Sequence, residues 1–274
     1  MTRIMTPKIA IVTTLLLAAA NIKADDRLTS ILAAQTDNVQ ARYQYRHPEE
    51  TLRFFGIEPG MTVVEVLPGE VWYTKILKPY LGSKGKVIGA DYNTAVYKGI
   101  GYDYASPEFL ATRETWISDW IEKSRSTALT DEAEVDAFVL GALPGSMHGT
   151  ADAVLFFRAL HNLAYTAPNS ANLKTAIKNS WDLLKSGGIV GVVQHHARDN
   201  MSDSWASGEN GYLKKSYVVD MMQSAGFNLV AESNINANEK DRPTESEYVW
   251  RLPPDGDMKA IGESNRMTLK FIKP

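Results

Sequence analysis

The stretch from Thr62 to Asn93 constrains the fold most. It reads Thr-Val-Val-Glu-Val-Leu-Pro-Gly-Glu-Val-Trp-Tyr-Thr, continues as a helical run, and closes on Lys-Val-Ile-Gly-Ala-Asp-Tyr-Asn. A short valine-rich run without alternation is the pattern of a strand buried on both faces. It enters a glycine turn and a helical segment, and a second strand follows that ends in Asp91. This is the first half of a nucleotide-binding α/β unit. Asp91 follows Gly69 by 22 residues, close to the roughly 20-residue offset at which an acid meets a ribose hydroxyl. Such turns usually carry several glycines, yet here Gly69 is followed by Glu70 and Val71.

The remaining pattern continues the alternation. Helical spacing predicts a segment from Arg27 with Asp26 as its cap, and another over 48–56. Strands are expected over 61–67, 87–90, 135–140, 189–194, 227–232 and 267–272. Helices are expected over 71–81, 107–123, 151–165, 171–184 and 216–225. The last two strands are joined by a polar excursion, 234–265, with Pro243, Pro253 and Pro254. An antiparallel edge strand accommodates such a connection. Strands alternating with helices define an α/β fold, an open and mostly parallel sheet with helices on both faces and an antiparallel last strand.

With 274 residues, 44% of them hydrophobic, the chain has ample material for a core. A net charge of −3 without a basic block argues against nucleic acid as a partner. Arg3 and Lys8 precede an apolar run over 9–20, with Ala20 and Ala24 as cleavage points. That is the pattern of a secretory signal peptide over 1–24, too short to span a bilayer, with no membrane insertion after cleavage. A periplasmic or secreted protein is expected. No cysteine occurs, which removes disulfides, lipoprotein attachment and thiolate zinc sites.

Several segments carry a resemblance. They are Pro68-Gly69-Glu70-Val71-Trp72-Tyr73-Thr74, Phe157-Arg158-Ala159-Leu160-His161-Asn162, the run from Gly187 to His195, Ile235-Asn236-Ala237-Asn238, and the run from Ile261 to Phe271. In them the chain resembles an exported bacterial branch of class I S-adenosylmethionine-dependent methyltransferases, in which the first segment reads Pro-Gly-Gly-Gly-Trp-Tyr-Thr. The resemblance implies a Rossmann-like sheet of seven strands over 61–274, preceded by a helical extension over 25–60. It implies S-adenosylmethionine as cofactor at the carboxyl ends of the strands, and a small-molecule acceptor.

The candidate residues follow. Glu65, Gly69, Tyr73 and Asp91 are expected at the cofactor. Glu65 is an acid inside a valine-rich strand, so it needs a buried partner. Arg158, His161 and Asn162 stand three and four residues apart, so one helical face would present them beside the acceptor. Either His161 or His195 would take a proton, since imidazole titrates near neutral pH. His195 is chosen over His196 because it matches the branch pattern, and Tyr212 and Arg266 are added to the substrate pocket on the resemblance alone.

Two further readings stand beside the methyltransferase. One is a ligand-binding protein without turnover on the same scaffold, favoured by the altered glycine loop and by a compartment not expected to supply S-adenosylmethionine. The other is a metal-dependent enzyme using His161 and His195, in which the adjacent His195 and His196 would bind a metal with Asp199 or His161, though no metal is expected.

Overall fold

The computed structural model describes residues 26–125 and 131–274. The expected signal peptide lies outside the described residues. Seven strands form one sheet: β1 (Thr62–Val66), β2 (Lys86–Asp91), β3 (Glu134–Val139), β4 (Ala151–Phe157), β5 (Leu184–His195), β6 (Asn228–Ser233) and β7 (Arg266–Ile272). Their order is β3-β2-β1-β4-β5-β7-β6. The pairs along β3-β2-β1-β4-β5 are parallel, and β7 runs antiparallel to both β5 and β6. This is the α/β methyltransferase-like architecture, with the antiparallel strand where the long polar excursion required it.

Alternation along β1 sorts its side chains between two layers. Val64 and Val66 join one core with Ile88, Phe138, Phe156 and Val190, covered by the helices Leu160–Thr166, Asn172–Leu183 and Lys215–Ser224. Val63 joins the other with Val87, Leu155 and Val193, under the helices Thr74–Leu81 and Trp116–Arg125. Residues 26–57 are part of that second core. Leu28, Leu52 and Phe55 are fully buried in it, and each such side chain stabilises the fold by about 1.5–3 kcal/mol.

Two expectations need correction. The run from Ala151 was expected to be helical to Tyr165, but Ala151–Phe157 is the strand β4, paired with β1 on one side and β5 on the other. A strand buried on both faces shows no period of two, so its apolar run looks the same as a buried helix. The helix that follows starts only at Leu160. The expected helix over 107–123 is two helices, Pro107–Glu114 and Trp116–Arg125, broken at Thr115, whose hydroxyl bonds the Asp119 carboxylate. Among the described residues, no helix is long and apolar enough to cross a membrane.

Candidate functional site

The chain leaves β1 toward β2 and β3 on one side and resumes at β4 on the other. Such a reversal opens a crevice at the carboxyl ends of the two central strands. A cavity of about 260 Å³ lies there. Leu67 and Gly69 reach it from the end of β1, Phe157 and Arg158 from the end of β4, and His195 from the end of β5. His161 and Asn162 enter from the start of the next helix, Glu263 and Ser264 from the approach to β7. The polar excursion forms the roof, through Val249, Trp250, Leu252 and the segment to Asp255. A second cavity of about 490 Å³ shares His161, Asn162 and Trp250 and is edged by Tyr102, Tyr104 and Tyr248.

The bend after β1 is tight because three of its residues are left-handed: Leu67 (φ 55°), Gly69 (φ 51°) and Val71 (φ 56°). A β-branched residue in that region stores on the order of 1–3 kcal/mol of strain. Val71 thus holds a glycine's conformation, and its side chain packs into the core. Glu70 points away from the cavity into solvent, where it pairs with Lys123. The two side chains that replace glycines therefore leave the bend's inner surface open.

Glu65 shares the Val63 face of β1 and accepts a 2.6 Å hydrogen bond from the Thr74 hydroxyl at the first residue of the next helix. It anchors the bend and does not line the cavity. Burial pushes its pKa up to about 8, against the pull of the Thr74 bond and of Arg46. The folded state therefore holds a proton that the unfolded chain releases above its ordinary pKa. Stability from this group is present below about pH 4.5 and is lost as pH rises through about 8, at up to roughly 1.4 kcal/mol per pH unit. Glu65→Gln keeps the acceptor for Thr74 without the titration. Its stability relative to the wild type should climb steadily from pH 5 to pH 8 in urea unfolding, and parallel pH dependences would refute this.

Asp91 is buried at the tip of β2. One carboxylate oxygen accepts from the Tyr97 hydroxyl (2.7 Å) and the Tyr92 amide (2.8 Å); the other faces Arg113 at 3.4 Å. Burial raises its pKa, and these donors oppose the rise. It does not reach the 260 Å³ cavity. Tyr73 stacks on Phe157 with ring centroids 3.6 Å apart, so it supports the cavity wall from behind.

Arg158, His161, Asn162 and His195 do meet around the cavity, for a different reason than helical spacing. Arg158 precedes the helix, in the turn after β4, with a left-handed φ of 59°. Strained non-glycine residues of this kind gather at functional sites. The rings of His161 and His195 lie 5.3 Å apart. Burial drives the His161 pKa down to about 4, with Arg158 adding to the effect and Gln194 opposing it. His195 is held well below the ordinary value by burial, His161 and Arg158, and its Nδ1 bonds Ser264. Both imidazoles are neutral at pH 7. Among the described residues, no group of three histidines and acids is placed to hold a metal ion.

Tyr212 and Arg266 do not line the cavity. The Tyr212 hydroxyl donates to Asp241, and Arg266 pairs with Glu263 at 2.7 Å. Both stand behind the residues that do. Sequence reasoning passed over Trp250, Glu263 and Ser264 as site residues. Glu263 and Ser264 fall in a segment that carried the resemblance, whereas nothing around Trp250 in the polar excursion distinguished it.

No family model matches the sequence, and no curated protein matches it either. Solved structures do match in fold. A SAM-dependent methyltransferase from Aquifex aeolicus is 18% identical, with 89% of this chain and 98% of that one aligned at a TM-score of 0.51. A structure pairing the Haloferax volcanii Trm112 methyltransferase activator with a methyltransferase candidate is 15% identical, covering 90% and 97%, at a TM-score of 0.50. At these identities the similarity establishes the fold: the chain is built like the class I S-adenosylmethionine-dependent methyltransferases.

Proposed function

We propose that the chain is an S-adenosylmethionine-dependent methyltransferase acting on a small molecule. The observation that carries this reading is the convergence of Gly69, Arg158, His161, Asn162 and His195 on one cavity at the switch point of this fold. The residues fit the cofactor at the bend, where Glu70 and Val71 keep their side chains out of the crevice. At β2 they fit it with one adjustment. The outer oxygen of Asp91 is held only by the long Arg113 contact, which a ribose hydroxyl can replace. When bound, S-adenosylmethionine supplies an electrophilic methyl group.

The chain's own residues would then hold the acceptor in line and exclude water, which is where most acceleration arises in such displacements. Arg158 and Asn162 orient the acceptor. His161 is the better base of the two histidines, because its Nδ1 meets Gln194 only at 3.4–3.5 Å, whereas the His195 Nδ1 is held by Ser264 at 2.5 Å. The apolar run near the N-terminus supports export as part of the same proposal.

A second reading, ligand binding without transfer, is favoured by one observation: Asp91 is turned to Tyr97, Tyr92 and Arg113 and does not line the cavity. Calorimetry with S-adenosylmethionine and S-adenosylhomocysteine separates the two. Under the methyltransferase reading both ligands bind, and Arg113→Met strengthens binding by about tenfold by freeing Asp91, since a charged hydrogen bond contributes about 1.5–3 kcal/mol. No binding to either the wild type or Arg113→Met would leave the second reading in its place.

A further inference from the structure

Around Glu263 the structure collects more positive charge than it neutralises. Arg42, Arg46, Arg158 and Arg266 all act on this one buried carboxylate. Burial works against its ionisation, but the four guanidinium groups outweigh that and hold its pKa below the ordinary value. Arg42 and Arg266 bond it directly, while the Arg46 Nε faces it at 4.0 Å without a hydrogen bond, its guanidinium over the Trp72 ring at 4.4 Å. Glu65, on which Arg46 also acts, is pushed by burial toward its protonated form.

Arg158 is the member left over. None of the hydrogen bonds or ion pairs among the described residues involves its guanidinium, and it lines the 260 Å³ cavity. Burial and the charge of Arg266 pull its pKa down to about 10, so it still carries its charge at pH 7. Arg158 is half-buried, and a guanidinium partly withdrawn from water without a hydrogen-bonding partner is costly. A guanidinium offers several donors in a fixed plane, which matches a carboxylate in bidentate fashion. Two acids share the lining, Glu263, which is already held by Arg42 and Arg266, and Asp255 at the exposed rim; the rest is apolar or neutral. Leu67, Phe157, Val249 and Trp250 line the same cavity, both histidines are neutral, and Trp250 leads to the second cavity edged by Tyr104 and Tyr248.

We propose that the ligand of this site is a small carboxylate on an aromatic or apolar frame, with its acid on Arg158 and its frame against Phe157 and Trp250. The inference rests on the reading of this cavity as the acceptor site, and it names the acceptor's class. It stands apart from whether methyl transfer occurs, because the carboxylate is bound by the chain alone.

The test is calorimetry of the full chain with benzoate, its neutral isostere benzamide, and inorganic phosphate. Benzoate should bind at least about tenfold more tightly than benzamide, the ratio expected for a hydrogen bond to a charged group. Arg158→Gln should remove that preference, Arg158→Lys should keep part of it, and Trp250→Ala should weaken benzoate without touching the other groups. The wild-type comparison needs no variant, so it decides the matter even if Arg158→Gln does not fold. Equal affinity for benzoate and benzamide would overturn the proposal. So would tighter binding of phosphate than benzoate, which would mark a phosphate site. Competition between benzoate and S-adenosylhomocysteine would also overturn it, because the recognised carboxylate would then be the cofactor's own. Failure to bind S-adenosylhomocysteine with benzoate binding intact would remove the transferase reading and leave this one.

Discussion

Asp241→Ala should destabilise the protein by about 3–5 kcal/mol and abolish ligand binding in the switch-point cavity, the cost expected when one partner of a buried ion pair is removed. Asp241 has no exposed side-chain surface and pairs with Arg251, itself 8% exposed, at 2.8 Å. The same carboxylate accepts the Tyr212 hydroxyl at 2.8 Å and the Asn265 amide at 2.9 Å. Arg251 closes the short helical turn Val249–Arg251, whose neighbours Val249, Trp250 and Leu252 roof the cavity. One acid thus ties the roof to Tyr212, which stacks on Trp205 at 5.0 Å, and to the residue that precedes β7. Alanine would leave the buried Arg251 guanidinium only its 3.1 Å contact with the part-exposed Glu247, and the Asn265 amide without its acceptor. Asp241→Asn keeps an acceptor oxygen and should cost less, about 1–3 kcal/mol. Urea unfolding checks both values. A loss under about 1 kcal/mol for the alanine variant would mean that the roof is held elsewhere.

How much of this was legible before the fold was known depended on the range of the interactions involved. The β1–bend–β2 unit was readable because its signals are local: valines, a glycine, and an acid at the right offset. β4 was not, because Ala151–Phe157 is buried on both faces and its apolar run lacks a period. Arg158, His161 and Asn162 were singled out by a spacing argument that does not apply, since Arg158 lies outside the helix; they meet because β4 and β5 end side by side. The partners that determine chemistry were out of reach. Tyr97 and Arg113 reach Asp91 across 6 and 22 residues, and Arg42 reaches Glu263 across 221. The polar excursion looked like a connection. Its buried ion pair, Asp241 with Arg251, is made of residue types that are ordinary on a surface, and only tertiary packing buries them.

His161→Ala should lower kcat by roughly 10²–10⁴-fold, the usual contribution of a positioned base, while affinity for S-adenosylhomocysteine is unchanged. The pH dependence separates this role from a structural one. The neutral imidazole is the form that accepts a proton, so activity must fall as pH drops through its pKa. In the free protein, burial and Arg158 set that pKa at about 4, so the acid limb of kcat/KM should lie well below the ordinary histidine value of about 6.5. A carboxylate bound on Arg158 would cancel one of the charges that depress His161. The limb in kcat, which reports the bound state, should therefore sit at higher pH than the limb in kcat/KM. A base with a pKa near 4 accepts protons weakly, so this upward shift would bring His161 toward its working range only when the ligand is in place. An unchanged acid limb in the His161→Ala variant would assign the proton to another group, and His195, 5.3 Å away ring to ring, would be the next to test.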